Sequence, residues 1–94
     1  MTLIWSRRAV QQLADLRDFI SQDSEQSASD VATSILATVE LLKSHPDIGR
    51  PGRILGTSEL VIPGTPYIVP YRVRQGRLEL IAVFHGRQQW PARL

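Results

Sequence analysis

The side chains best suited to chemistry lie near the C-terminus, in His85-Gly86-Arg87-Gln88-Gln89-Trp90-Pro91. An imidazole titrates near neutrality and can take or give a proton. A guanidinium presents a planar fork to carboxylates and phosphates. His85 sits at the end of a predicted strand, a place that often carries function. Three roles are open to it: a hydrogen bond to nearby backbone that orders the tail, a binding contact, or proton transfer. Trp90 has two: a lid folded over the sheet edge, or an anchor at a partner interface, where tryptophan is enriched. Trp5 reads more simply as core.

Other chemistries find few residues. The second histidine, His45, stands forty positions from His85, without the paired spacing of a metal site. There is no cysteine, hence no disulfide framework or thiolate ligand. No Gly-rich phosphate loop follows a strand, and no G-x-S-x-G turn is present. The serines cluster around helices and caps. We therefore expect no metal and no cofactor, and assign no catalytic residue.

Charge is divided unevenly. Residues 1–47 hold four bases against seven acids, a net −3. Residues 48–94 hold seven arginines against two glutamates, a net +5. That basic half suits a solvated face, an acidic protein partner or nucleic acid; an overall charge of +2 is weak for binding nucleic acid by charge alone. The longest apolar runs fall far short of the ~20 residues of a membrane span. The N-terminus lacks the pattern of a secretory signal. These features point to a cytoplasmic protein, and 94 residues to one domain spanning 1–94.

The elements that must hold the C-terminal residues can be placed. Thr2–Trp5 reads as a short strand. Ser6 caps a helix running to about Gln22, with Val10, Leu13, Leu16 and Ile20 on one face. A longer helix follows from about residue 25 to 44. Its stripe is Ala28, Val31, Ala32, Ile35, Val39 and Leu42, although Ser27-Ala28-Ser29-Asp30 offers a later start. Pro46 ends it. The two helices should pack as an antiparallel hairpin. After a Pro- and Gly-rich loop come three strands: Glu59–Ile62, Tyr67–Val73 and Leu78–Phe84.

A turn centred on Gln75-Gly76 pairs Tyr71 with Leu80, Val73 with Leu78, Val69 with Ala82 and Tyr67 with Phe84. That makes one apolar, helix-facing side. The other side pairs Arg72 with Glu79, as an ion pair, Pro70 with Ile81, and Ile68 with Val83, with His85 near Pro66. Proline has no N–H to donate. A four-residue loop, Arg74 to Arg77, or a bulge at Pro70 would spare the lost bond.

Taken together, His45-Pro46 to Gly49-Arg50-Pro51-Gly52, the Glu59-Leu60-Val61 and Pro66–Val73 stretches, and the Val83–Pro91 ending resemble the RelE/ParE superfamily of toxins, closest to its ParE-like branch. The resemblance covers nearly the whole chain. It implies an α+β fold of β-α-α-β-β-β order: a short N-terminal strand and an antiparallel helical hairpin packed on a small antiparallel sheet. It implies the toxin of a type II toxin–antitoxin system, neutralised by a cognate antitoxin.

The resemblance also splits by target: ParE-like members poison DNA gyrase, RelE-like members cut mRNA on the ribosome. In the RNases an arginine commonly precedes the strand tyrosine by three places; here that position is Ile68. A tyrosine often found just past the last strand is replaced by Gly86 and Arg87, and Lys43 is the only lysine. The expected reading is a non-catalytic gyrase inhibitor, with His85, Arg87, Gln88 and Trp90 touching the target. Arg74 and Arg77 are expected to touch the antitoxin. The alternatives are a ribosome-dependent endoribonuclease built around His85 and Arg87, and a degenerate member that only binds its antitoxin.

Overall fold

A computed structural model describes residues 1–88 and residue 90. Strand β1, Thr2–Trp5, leads into helix α1, Arg7–Ser21. Ser6 makes the junction: its Oγ accepts from the Ala9 N–H at 3.0 Å and donates to the Ile81 carbonyl at 2.7 Å. One hydroxyl thus caps the helix and ties its start to the sheet. Helix α2 spans Glu25–Glu40, and Ser24 caps it by accepting from the Ser27 N–H at 3.1 Å. The later start at Ser27 is not used. A 3₁₀ turn, Leu41–Lys43, carries Leu42 into the core.

The sheet runs in the order β1-β5-β4-β3-β2, with β2 Arg50–Pro51, β3 Ser58–Val61, β4 Tyr67–Arg74, β5 Arg77–Leu80 and a last short strand β6, Phe84–His85, also paired to β4. The hairpin and its neighbours are antiparallel. β1 joins β5 in parallel, so the sheet is mixed rather than wholly antiparallel.

The 70s turn follows the expected pairing: Tyr71 opposite Leu80, Arg72 opposite Glu79, Val73 opposite Leu78. The loop, however, is the two-residue kind. Arg74 pairs with Arg77, and Gln75 and Gly76 both have positive φ, 49° and 73°, as the hairpin twist demands. Pro70 therefore faces β5 and bears the loss: it accepts from the Ile81 N–H at 2.9 Å and has nothing to donate in return.

The ladder breaks immediately after that deficit. Ile68 pairs with Phe84 and Tyr67 with His85, one residue out of step with the pairing at Tyr71. Three residues, Ile81, Ala82 and Val83, stand across from Val69 and Pro70, which is a bulge. The expected pairs Ile68–Val83 and Tyr67–Phe84 are thus displaced by one residue. A one-residue slip reverses faces. Val83 turns into the helix-side core, while Phe84 packs on the opposite side against Trp90, ring centroids 4.8 Å apart. The Val83 N–H, taken out of the ladder, donates to Gln12 Oε1 of α1 at 2.8 Å.

The core between helices and sheet holds Ile35, Val39, Leu42, Val69, Tyr71 and Leu80, among others, with Leu13 and Leu16 packed against it. Val10 is not on that face: it is 54% exposed, and Ala9 is fully buried in its place. The Ser6 tie to Ile81 sets the rotation of α1, and a methyl side chain lets the helix approach closely. Val73, beside the turn, is 45% exposed. The Tyr71 hydroxyl donates to the Pro46 carbonyl at 2.8 Å and accepts from the Gly49 N–H at 2.9 Å, which fixes the loop after α2. A Cβ at position 49 would lie 2.5 Å from that hydroxyl, so the close approach needs glycine.

Candidate functional site

The C-terminal turn is closed by its own backbone. Gly86 N–H donates to the Pro66 carbonyl at 2.7 Å and Gln88 N–H to the His85 carbonyl at 2.9 Å. The His85 N–H donates to Gln88 Oε1 at 3.2 Å, and the Arg87 N–H donates to His85 Nδ1 at 3.1 Å. With Nδ1 accepting, the neutral ring carries its proton on Nε2. The imidazole meets Tyr67 edge-on, centroids 5.7 Å apart. His85 thus bonds to neighbouring backbone, one of the roles its sequence position allowed, within the turn of residues 85–88.

The four residues expected to touch a target do not share one surface. His85 and Gln88 line a groove of about 400 Å³ with Leu16 and Phe19 of α1 and Tyr67 of β4. Phe19 there is 69% exposed. Trp90 instead packs on the sheet face turned away from the helices, over Phe84, with the Arg53 guanidinium carbon 3.9 Å from its ring centroid. Its Nε1 is buried without a hydrogen-bond partner among the described residues. Arg87 is exposed.

Beneath Arg53 lies a group that sequence reasoning missed. Glu59 is 2% exposed. Its Oε1 accepts from Arg50 Nε at 3.2 Å and Nη2 at 3.1 Å, and its Oε2 accepts from the Arg53 backbone N–H at 2.7 Å. Arg53 Nε also stands 3.8 Å from Oε2. Burial of a carboxylate demands such partners. A signal was available: with seven arginines against two carboxylates in this half, each carboxylate is surrounded by candidate partners.

The other carboxylate, Glu79, is paired as its register predicts, with Arg72 Nε donating to Oε1 at 2.7 Å. The Arg72 hydrogen bond holds its carboxyl below the usual range. The charges of Arg72, Arg74 and Arg77 add to this against the pull of burial. Arg74 and Arg77 face each other across the turn, both exposed, and have no ion-pair partner among the described residues. Beside them a cleft of about 360 Å³ opens between the Ile54–Thr57 turn and β4. Among the described residues no three of His, Asp and Glu gather in a way that could hold a metal. No helix among them is long and apolar enough to cross a membrane.

Residues 3–90 match the sequence family described as "ParE toxin of type II toxin-antitoxin system, parDE". The chain is 40% identical over 87 residues to "Putative toxin Y4kP" of Sinorhizobium fredii, covering 93% of this chain and 90% of that one. It is 33% identical over 90 residues to "Toxin ParE1" of Caulobacter vibrioides, covering 95% and 93%. It is 28% identical over 84 residues to "Toxin RelE2" of the same organism, covering 89% and 93%. The fold overlays a chain of the "Chromosomal ParDE TA system from P. aeruginosa" with a TM-score of 0.82 at 23% identity, covering 90% of this chain and 95% of that one. With the helical hairpin, the sheet and these relatives in agreement, the chain belongs to the ParE toxin family of type II toxin–antitoxin systems.

Proposed function

We propose that this toxin arrests growth by binding DNA gyrase without chemistry of its own, and that a cognate antitoxin neutralises it. The observation that carries the reading is position 68. The resemblance to the ribosome-dependent RNases calls for a phosphate-binding cation there. Ile68 instead is 7% exposed, within the sheet between its partners Val61 and Phe84. RNA cleavage by proton transfer needs a base for the 2′-hydroxyl, an acid for the leaving oxygen and a cation on the phosphate. His85 is the one histidine near the tail, and its Nδ1 is engaged by the Arg87 backbone. One proton-transfer group and a buried isoleucine do not make that site.

Reconstituted assays separate the two targets. Added to gyrase, the purified chain should inhibit supercoiling or trap cleaved DNA. Added to ribosomes programmed with mRNA, it should leave the message intact. His85→Ala should keep growth inhibition, whereas loss of an essential proton-transfer group would cost about 10²–10⁴-fold in rate. Codon-phased cuts that disappear in His85→Ala would replace this reading with the RNase one.

A further inference from the structure

The hydrogen bonds that close the turn after β6 differ in what can undo them. Gly86 N–H and Gln88 N–H end on the peptide oxygens of Pro66 and His85. The His85 N–H ends on the side-chain amide oxygen of Gln88. None of these acceptors takes up a proton near neutrality. The remaining bond, from the Arg87 N–H at 3.1 Å, ends on His85 Nδ1. Asparagine and aspartate close turns in the same way, with a side-chain oxygen accepting from the N–H two residues on. Here the acceptor is a ring nitrogen, and a proton converts it into a donor. Two donors cannot share that bond, so it exists only while the ring is neutral. The ring is half-buried, within reach of solvent protons. Across the groove α1 sets Gln12 and Asp15, of which Asp15 is an exposed carboxylate. From β4 Tyr67 meets the ring edge-on, and Arg87 and Gln88 complete its surroundings from the turn.

We propose that His85 is a proton-operated latch on the C-terminal turn, closed while its ring is neutral and opened at Arg87 when the ring is protonated. The anchor from Gly86 to Pro66 lies outside the latch, because both of its ends are backbone. Opening therefore frees Arg87 and loosens the turn that sets Gln88 in the wall of the groove beside α1, while β6 stays paired to β4. The device belongs to the turn alone and holds whatever the toxin's target is. Histidine, rather than the asparagine or aspartate that would close the turn permanently near neutrality, is what makes it responsive.

The test is NMR of the isotope-labelled chain, following backbone amides and histidine rings from about pH 8 to about pH 5, where an imidazole changes charge. The Arg87 amide proton should move upfield with the same midpoint as the His85 ring. Its protection from exchange should fall roughly two- to tenfold, as loss of one hydrogen bond implies. The Gly86 amide should keep its protection. His85→Asn supplies an acceptor that does not titrate, so Arg87 should stay closed across the whole range in that variant. His85→Ala should leave Arg87 open even at the alkaline end. An Arg87 amide that ignores the His85 titration, or follows His45 instead, would overturn the latch. So would the same pH response in His85→Asn, a closed Arg87 amide in His85→Ala, or equal loss of protection at Gly86, which would mean that β6 itself comes away.

Discussion

Glu59 and Glu79 are the two carboxylates of the basic half, both in strands and both held by arginine, yet they are placed oppositely. Glu59 is sealed at 2% exposure among Arg50, the Arg53 backbone and the neighbouring strands. Glu79 stands near the turn end of the hairpin, its side chain 26% exposed, with two further arginines close by. The first pairing is architectural. It ties β3 to β2 and to Arg53 just beyond it, and through Arg53 it reaches Trp90. The second leaves cation to spare on an accessible face. The lesson is that arginine count alone does not locate a binding surface. Arg50 and Arg53 are occupied by an internal carboxylate, whereas Arg74 and Arg77, across the Gln75-Gly76 turn, have no ion-pair partner among the described residues.

Breaking the Glu59 side should have the larger effect. Glu59→Ala would leave the Arg53 N–H without its acceptor and the two guanidiniums without their counter-charge. Both arginine side chains are about half exposed, at 53% and 44%, so water can recover part of the loss. A destabilisation of about 2–3 kcal/mol is expected, from an orphaned buried donor plus a broken buried pair. Urea denaturation would measure it, and Trp90 fluorescence should report loosening of the Arg53 stack. Unchanged stability and unchanged emission would mean that the Glu59 pairing anchors nothing. Glu79→Ala should cost much less stability and leave the Trp90 emission unchanged.

How far these regions could be read in advance depended on whether local or distant residues decide them. The helices and their caps, the hairpin pairing from Tyr71 to Val73 and the Arg72–Glu79 pair were all legible, because periodicity and a single turn determine them. A bulge beside Pro70 was among the expectations, but its place on the facing strand, at Ile81–Val83, was not legible. Pro70 announced a deficit, but the partner that makes the bulge tolerable, Gln12, lies on a helix 71 residues away in the chain. No strand pattern encodes that contact. It also decides the sites, since the slip exchanges the faces of Val83 and Phe84 and turns His85 away from Trp90. Gln12→Ala should therefore cost about 1 kcal/mol, the worth of a hydrogen bond to an otherwise orphaned N–H. Hydrogen exchange should quicken at Val83 and stay unchanged at Leu80. Equal acceleration along all of β5 would assign the effect to general loosening instead.

The smallest effect sharpens the contrast from the exposed side. The Glu79 carboxyl titrates below its ordinary value of 4.5 in the folded chain, chiefly through the Arg72 hydrogen bond and then through the charges of Arg72, Arg74 and Arg77. A carboxyl whose folded pKa is depressed binds its proton more readily when unfolded. Its contribution to stability is therefore complete above pH 4.5 and is lost as the pH falls through the lower folded value. Thermal midpoints of the native chain and Glu79→Gln, compared from pH 7 downward, should differ by a small constant amount until about pH 4.5 and then converge. Raising the salt concentration should shrink the gap, because the pair is exposed and screened. Combining Arg74→Gln with Arg77→Gln should narrow the gap only slightly, since the Arg72 hydrogen bond leads. If that double substitution closed the gap while Arg72→Gln left it standing, the diffuse field of the hairpin tip, rather than the Arg72 contact, would be what holds Glu79 ionised.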